Sequence, residues 1–259
     1  HENEAAQAEA LSGKPFVHYW LHNGFVNIDK EKMSKSLGNF FTIRDVLKAV
    51  DPEVLRFFLL SHHYRSPVDY SDASLKDARS ALDRFYGLLG RIDEVLAGRD
   101  FPAPDAASLG LPEKALYEAL RKMEADFEES MGDDFNAAEA LGHMHKCARQ
   151  AGNYLHDGPG QSAEALALLA ETRRSFKTLG AVLGLLGRSP ADYFAAQKAD
   201  ALAGKALDAA EIDALVSERL EARKAKNWKR ADEVRDLLAA KGVILEDGPG
   251  GTTWKVKAD

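Results

Sequence analysis

Apolar residues recur at helical spacing through most of the chain, and the interruptions in that pattern define its elements. Residues 1–12 (HENEAAQAEALS) predict the end of a helix, stopped by Gly13 and Pro15. PFVHYWLHNGFVNID is aromatic and β-branched around an Asn-Gly pair, so it predicts a strand, a turn and a second short strand. TIRDVLKAV opens with Thr42 as N-cap, and DPEVLRFFLLSHHY opens with Asp51 as N-cap and Pro52 in the first turn, where a missing N–H costs nothing. SDASLKDARSALDRFYGLLGRIDEVLAG predicts one long amphipathic helix.

Three prolines in GRDFPAPDAASLGLPE mark a linker over roughly residues 98–113. Helical periodicity resumes over 114–156 and 161–187, broken by HDGPG. GRSPADYFAAQKADALAG predicts a second irregular linker, 188–207, followed by helices at about 208–226 and 228–241. VILEDG and TTWKVK then predict two strands around a Gly-Pro-Gly-Gly turn. No internal repeat or low-complexity tract interrupts the pattern. The fold class expected is mostly α with a small sheet at each end, in segments 1–97, 114–187 and 208–259.

With 259 residues, 45% hydrophobic and 29% charged, the chain has room for more than one core. It carries no apolar run of membrane-spanning length and no cationic-apolar leader, so a soluble, cytoplasmic protein is expected. The first residue, His1, is what a fragment or a processed chain is expected to show. A single cysteine, Cys147, excludes an internal disulfide framework and suits a reducing compartment. Net charge is −7, but its distribution is uneven. Glu118 to Glu139 holds eight acidic and two basic residues, whereas Glu218 to Lys241 holds eight basic and five acidic. Any polyanion surface therefore belongs near the C-terminus.

The densest candidate chemistry is KMSKSLGNFFTIRDVL, Lys32 to Leu47. Two lysines, Lys32 and Lys35, are separated by small residues, with Ser34 and Ser36 supplying hydroxyls and a following Gly-Asn permitting unusual backbone angles. Mobile ammonium groups and free O–H or N–H donors are what a nucleoside triphosphate needs while charge moves onto a leaving pyrophosphate. No G-x-x-x-x-G-K-[ST] is present, so this is no Walker loop.

KMSKS with its Gly-Asn resembles the second signature of the class I aminoacyl-tRNA synthetases. HENE, YWLHNGFV, DPEVLRFFLLSHHYRSPVDYS and the C-terminal EARKAKNWKRADEVRDLLAAKGVILEDGPGGTTWK narrow the resemblance to the cysteinyl-tRNA synthetases. It implies the tail of a Rossmann-type catalytic domain (1–97), a helical bundle (114–187) and a small α/β anticodon-binding domain (208–259). The implied substrates and partners are ATP, L-cysteine and tRNA-Cys, with the protein a monomer. The resemblance implies that Lys35 contacts ATP with Lys32 assisting, beside Ser34 and Ser36. The family also holds zinc, which reads the cysteine thiol; its last helical ligand falls on Glu4, and the other ligands lie outside this chain. The family's first signature, His-x-Gly-His, is missing, and GHMH at Gly142–His145 sits in a predicted helix of the acidic region. The resemblance therefore covers the C-terminal half or so of the enzyme, and the chain alone is not expected to make the adenylate.

At the other end, Trp228 stands among Lys224, Lys226, Lys229 and Arg230. An exposed aromatic among cations suits base stacking on single-stranded RNA; the bland reading is a staple between two helices. The resemblance places anticodon contacts on Arg223, Trp228, Asp232 and Asp247, types that bind guanine and cytosine edges. Trp254 reads as core. His62, His63, Tyr64 and Arg65 close a helix; Arg65 is read either as a phosphate contact or as a cap. His143 and His145, two apart, do not share a helix face and are not read as a metal pair. Cys147 reads as a small buried hydrophobe. The acidic MEADFEESMGDDFN reads as a solvated face with an N-cap at Asp133 or Asp134. Two other functions remain open. One is a ligase joining cysteine to an amino sugar through the same adenylate, which has no use for residues 208–259; the other is a non-catalytic RNA-binding paralogue.

Overall fold

Ten helices and five short strands form among the residues that the structure, a computed structural model, describes: 1–28, 31–33, 42–158, 160–202, 209–248 and 251–256. They are mostly helical, as the periodicity predicts, and gather into two units, His1–Gly187 and Arg188–Asp259. The proline-rich stretch 98–113 lies within the first of these.

In the first unit, helix α1 (Glu2–Ser12) ends with Gly13 in the left-handed conformation. The chain reaches strand β1 (Val26–Ile28) without regular structure, so the two-strand expectation for this stretch is corrected to one. A strand needs ladder partners. Only Val26–Ile28 finds them, antiparallel to β2 (Glu31–Lys32) and parallel to β3 (Val68–Tyr70), in the order β2-β1-β3. Phe16, Tyr19, Trp20 and Phe25 remain exposed. Gly24 makes the approach possible: its N–H donates to the Tyr64 carbonyl at 2.8 Å, and a β-carbon there would overlap the Ser66 carbonyl.

Thr42 caps α2 (Ile43–Val46) in a capping box with Asp45, though the helix lasts one turn only. Asp51 caps α3 (Pro52–Leu60), accepting from the Glu53 and Val54 N–H groups. Helix α4 (Asp72–Leu96), capped by Ser71, buries the stripe Leu75, Leu82, Phe85, Leu89, Ile92 and Leu96 against α3 and two later helices, α6 (Ala137–His156) and α7 (Ala163–Val182). Each such side chain contributes roughly 1.5–3 kcal/mol on leaving water. Phe85 sits at the centre, edge-on to Phe57 at 6.3 Å and 5.8 Å from Phe176.

The helical run expected over 114–156 is two helices, α5 (Leu111–Gly132) and α6. The break is a turn in which Asp134 and Phe135 both take positive φ, 55° each, and the cap of α6 is Asn136 rather than Asp133 or Asp134. Asp134 is drawn elsewhere. It accepts from the Tyr64 hydroxyl at 2.7 Å and pairs with Arg65 Nε at 2.7 Å, which holds its carboxyl below the usual range, the Tyr64 bond first among the causes. Arg65 is thereby engaged by protein.

A second polar tie closes the bundle. Glu53 accepts from the buried Tyr86 hydroxyl at 3.0 Å through each carboxylate oxygen and from the Leu186 N–H at 2.6 Å, joining α3, α4 and the chain beyond α7. Cys147 is buried as expected, and burial pushes its thiol up to about 12. His145 stacks on Phe85 at 4.3 Å; burial, with Arg84 and Arg149 nearby, lowers it to about 4.

In the second unit the expected linker 188–207 is corrected. Residues Pro190–Leu202 form helix α8, capped where Ser189 Oγ accepts from the Asp192 N–H at 3.1 Å. Tyr193 is buried, with Arg188 over its ring at 4.8 Å. Five alanines with Leu, Lys and Gln favour this helix, which the flanking Gly and Pro residues had masked. Helices α9 (Ala209–Lys224) and α10 (Trp228–Ala240) pair, and α10 leads into hairpin β4 (Val243–Gly248) and β5 (Gly251–Val256). Ile212, Val216, Val234, Leu238, Val243 and Trp254 form its core. Trp254 is core, as read, and donates its Nε1–H to Asp213 at 2.6 Å.

Two measurements check the first unit. Glu53→Ala removes the carboxylate that accepts from the Tyr86 hydroxyl and the Leu186 N–H, and should lower its unfolding free energy by about 1–3 kcal/mol in denaturant titration; an unchanged midpoint refutes the tie. For His145 the folded pKa lies below the unfolded one of ~6.5, so the unfolded chain binds the extra proton. Stability is whole above pH ~6.5 and falls toward pH 4, by up to ~1.4 kcal/mol per pH unit in that window. His145→Leu should flatten this limb of a stability–pH curve.

Candidate functional site

Two candidate surfaces come from the sequence, and the structure describes them unequally. At the N-terminal end, Lys32 lies in β2 opposite Asn27, and the Met33 N–H donates to the Val26 carbonyl at 3.3 Å. Ser34, Lys35 and Ser36 lie outside the described residues. Glu4 is an exposed residue on α1, and no group of three or more His, Cys, Asp or Glu among the described residues is arranged to hold a metal ion. One carboxylate does not meet zinc's demand for four ligands, so these residues do not fit zinc by themselves.

The C-terminal surface is built from both paired helices and the hairpin tip. Asn227 caps α10, its side chain accepting from the Arg230 N–H at 3.2 Å, which fixes the turn and sets Trp228 as the first helical residue. Trp228 is 60% exposed, so the staple reading fails. Every residue from Arg223 to Arg230 is exposed, including Arg223, Lys224, Lys226, Lys229 and Arg230. Trp228 and Asp232 stand four apart on one helix face, and Asp232 pairs with Arg235 at 3.1 Å.

Arg223 and Asp247 meet directly, Arg223 Nη1 donating to Oδ2 at 3.0 Å. A residue the sequence reading passed over holds the same carboxylate. Arg219 is 9% exposed and donates from Nη1 to Oδ1 at 2.9 Å and from Nη2 to Oδ2 at 3.0 Å. Thr252, opposite Asp247 in the hairpin register, donates its hydroxyl to Oδ1 at 2.6 Å. These donors, Arg219 first and Thr252 next, hold the Asp247 carboxyl far below the ordinary carboxylate range. The signal was present: Ile212, Val216 and residue 219 follow core spacing, and an arginine occupies the third position. A groove of about 570 Å³ runs beside this cluster, lined by Arg219, Asp247, Arg235, Ile244 and Leu245 among others.

The surface thus combines a stacking platform, a guanidinium beside a fixed carboxylate, and exposed cations. Those are the parts that grip a single-stranded base by its face and its edge and a phosphate by charge.

Comparison with known proteins agrees along the chain. Residues 1–80 match the family model of the class I (C) tRNA synthetase catalytic domain, 126–187 the DALR domain, and 208–254 the cysteinyl-tRNA ligase anticodon binding domain. Cysteine–tRNA ligases from Geobacter metallireducens and Geobacter sulfurreducens are 51% and 49% identical over 257 residues, each alignment covering 99% of this chain. The aligned part is 52% and 51% of those proteins, so the chain spans about half the length of the curated relatives it matches. Among solved structures, an Agrobacterium radiobacter LeuRS crystallised with tRNA and LeuAMS has a TM-score of 0.54 at 18% identity, covering 71% of this chain and 25% of that one; it shows the fold alone.

Asp247→Ala leaves Arg219 with an unpaired charge in a mostly buried position, and should destabilise the C-terminal unit by about 1–3 kcal/mol at pH 7. The carboxyl's folded pKa lies below its unfolded one of ~3.9, so its contribution is present above that value and fades as pH falls below it. The wild-type and variant curves should therefore converge in acid; a constant gap down to pH 2 would show that charge is not the cause.

Proposed function

Since this chain belongs to the cysteinyl-tRNA synthetase family and aligns with the C-terminal portion of its members, we propose that it supplies the ATP-loop and anticodon-recognition parts of a cysteine–tRNA ligase. The reaction joins ATP, L-cysteine and tRNA-Cys into cysteinyl-tRNA, AMP and pyrophosphate. A carboxylate oxygen of cysteine attacks the α-phosphorus of ATP and pyrophosphate leaves. A terminal ribose hydroxyl of the tRNA then attacks the adenylate carbonyl, and AMP leaves with the bonding electrons.

The residues of this chain act by position and charge. Lys35, assisted by Lys32 and flanked by Ser34 and Ser36, offsets the charge that builds on the departing pyrophosphate; no covalent role is assigned to it. Zinc enters this reading only through Glu4, as one ligand of a site whose other ligands the chain does not contain, and no step above depends on it. Among the described residues no helix is long and apolar enough to cross a membrane. A cytoplasmic monomer completes the reading.

The observation that carries it is the exposed Trp228, together with Arg223 paired to the anchored Asp247, in the segment that matches the anticodon-binding family model. The same match disfavours a cysteine–amino-sugar ligase, for which that surface has no purpose.

Binding of the chain to tRNA-Cys and to the same tRNA with altered anticodon bases, at two salt concentrations, tests the reading. Affinity should drop on anticodon change, and Trp228→Ala should lose about 1–3 kcal/mol of binding to tRNA-Cys, the worth of one stacked base. Equal affinities that follow salt alone would leave only phosphate contacts and refute the assignment.

A further inference from the structure

A carboxylate offers about four hydrogen-bonding positions, two on each oxygen. Asp247 has all four taken: Oδ1 by Arg219 and Thr252, Oδ2 by Arg219 and Arg223. A nucleobase amino or imino group that donates to this carboxylate must therefore displace one of the present donors.

The donors differ in what leaving would cost. Arg219 is mostly buried and spans both oxygens, and its Nη1 also reaches the Thr252 hydroxyl at 3.4 Å; freeing it strands a cation away from water. Thr252 is held opposite Asp247 by the hairpin ladder. Among the described residues the Arg223 side chain makes one bond; it lies one turn beyond Arg219 on α9 and is 42% exposed, so water replaces its partner at little cost.

Resting on the anticodon reading above, we propose that Arg219 and Thr252 are positioning residues that aim Asp247 for reading a base edge, and that Arg223 is the exchangeable donor the base displaces. Arg219 and Thr252 keep their bonds when RNA binds. Arg223 leaves Oδ2 and turns to the RNA. The selectivity of the site then depends on two residues that do not touch the RNA, because a carboxylate free to rotate accepts from several bases alike.

The test uses the full chain and short RNA hairpins, one bearing the cysteine anticodon in its loop and others with each anticodon base changed. Dissociation constants are measured for wild type, Thr252→Val and Arg219→Lys, with thermal melts to establish folding. At the position Asp247 reads, the ratio between changed and cognate hairpins should fall about tenfold in both variants. Affinity for the changed hairpins and the salt slope should stay put, which a mere loss of stability would not give. Guanidinium nitrogen NMR of the wild type should show the Arg219 signals unmoved on adding the cognate hairpin while those of Arg223 shift. Folded variants with unaltered discrimination, or an Arg219 signal that moves with Arg223, overturn the proposal while leaving the anticodon reading intact. If Arg219→Lys fails to fold, Thr252→Val decides. A wild-type chain that does not distinguish the hairpins overturns both readings at once.

Discussion

An arginine set at a core position cannot stay there without a carboxylate, and that requirement organises the C-terminal unit. Arg219 continues the stripe of Ile212 and Val216 that packs α9 against its neighbours, so its guanidinium arrives where water is scarce. Asp247 and Thr252, facing each other near the tip of the β4–β5 hairpin, supply its partners. The pair therefore pins the hairpin tip to α9. It also leaves Asp247 half exposed, rigid and ionised, beside Arg223. One electrostatic obligation thus both places an element and prepares a surface.

The N-terminal unit uses the same device twice. Glu53 satisfies a buried tyrosine hydroxyl and a backbone N–H that belong to distant parts of the chain. Asp134 gathers Tyr64 and Arg65 onto the turn between α5 and α6, where two consecutive residues accept left-handed backbone angles. Apolar stripes bring the helices together, but burial by itself is not directional. The hydrogen-bonded carboxylates select which turns meet which helix ends, since a mispaired alternative would leave buried polar groups without partners. Arg65 pairs with Asp134 at 2.7 Å while most of its side chain faces solvent.

The surface assigned to RNA has the chemistry of a reader more than a clamp. Its charge is modest, with many of its arginines engaged by carboxylates: Arg230 with Glu218 and Glu233, and Arg235 with Asp232 and Asp236. What is left facing solvent is an indole, a few ammonium groups and fixed donors and acceptors. Such a composition gives less to non-specific phosphate attraction and more to the identity of the base.

Much of this was legible in the residues. Thr42, Asp51 and Pro52 announced helix starts because capping and proline geometry are local. The long stripe of α4 announced a core helix because its period is local too, whereas the choice between an exposed Trp228 and a staple between two helices was left to the fold. Other features depended on partners far along the chain. That Val26–Ile28 alone of its aromatic stretch becomes a strand depends on β3, forty residues on. That Asn136, not Asp134, caps α6 depends on Tyr64 and Arg65. The grip of Arg219 on Asp247 spans 28 positions and was invisible for the same reason. Local spacing determines which face of an element is apolar and where it starts; which charged group meets which is decided only when those faces pack, because an ion pair is selected by the water it loses.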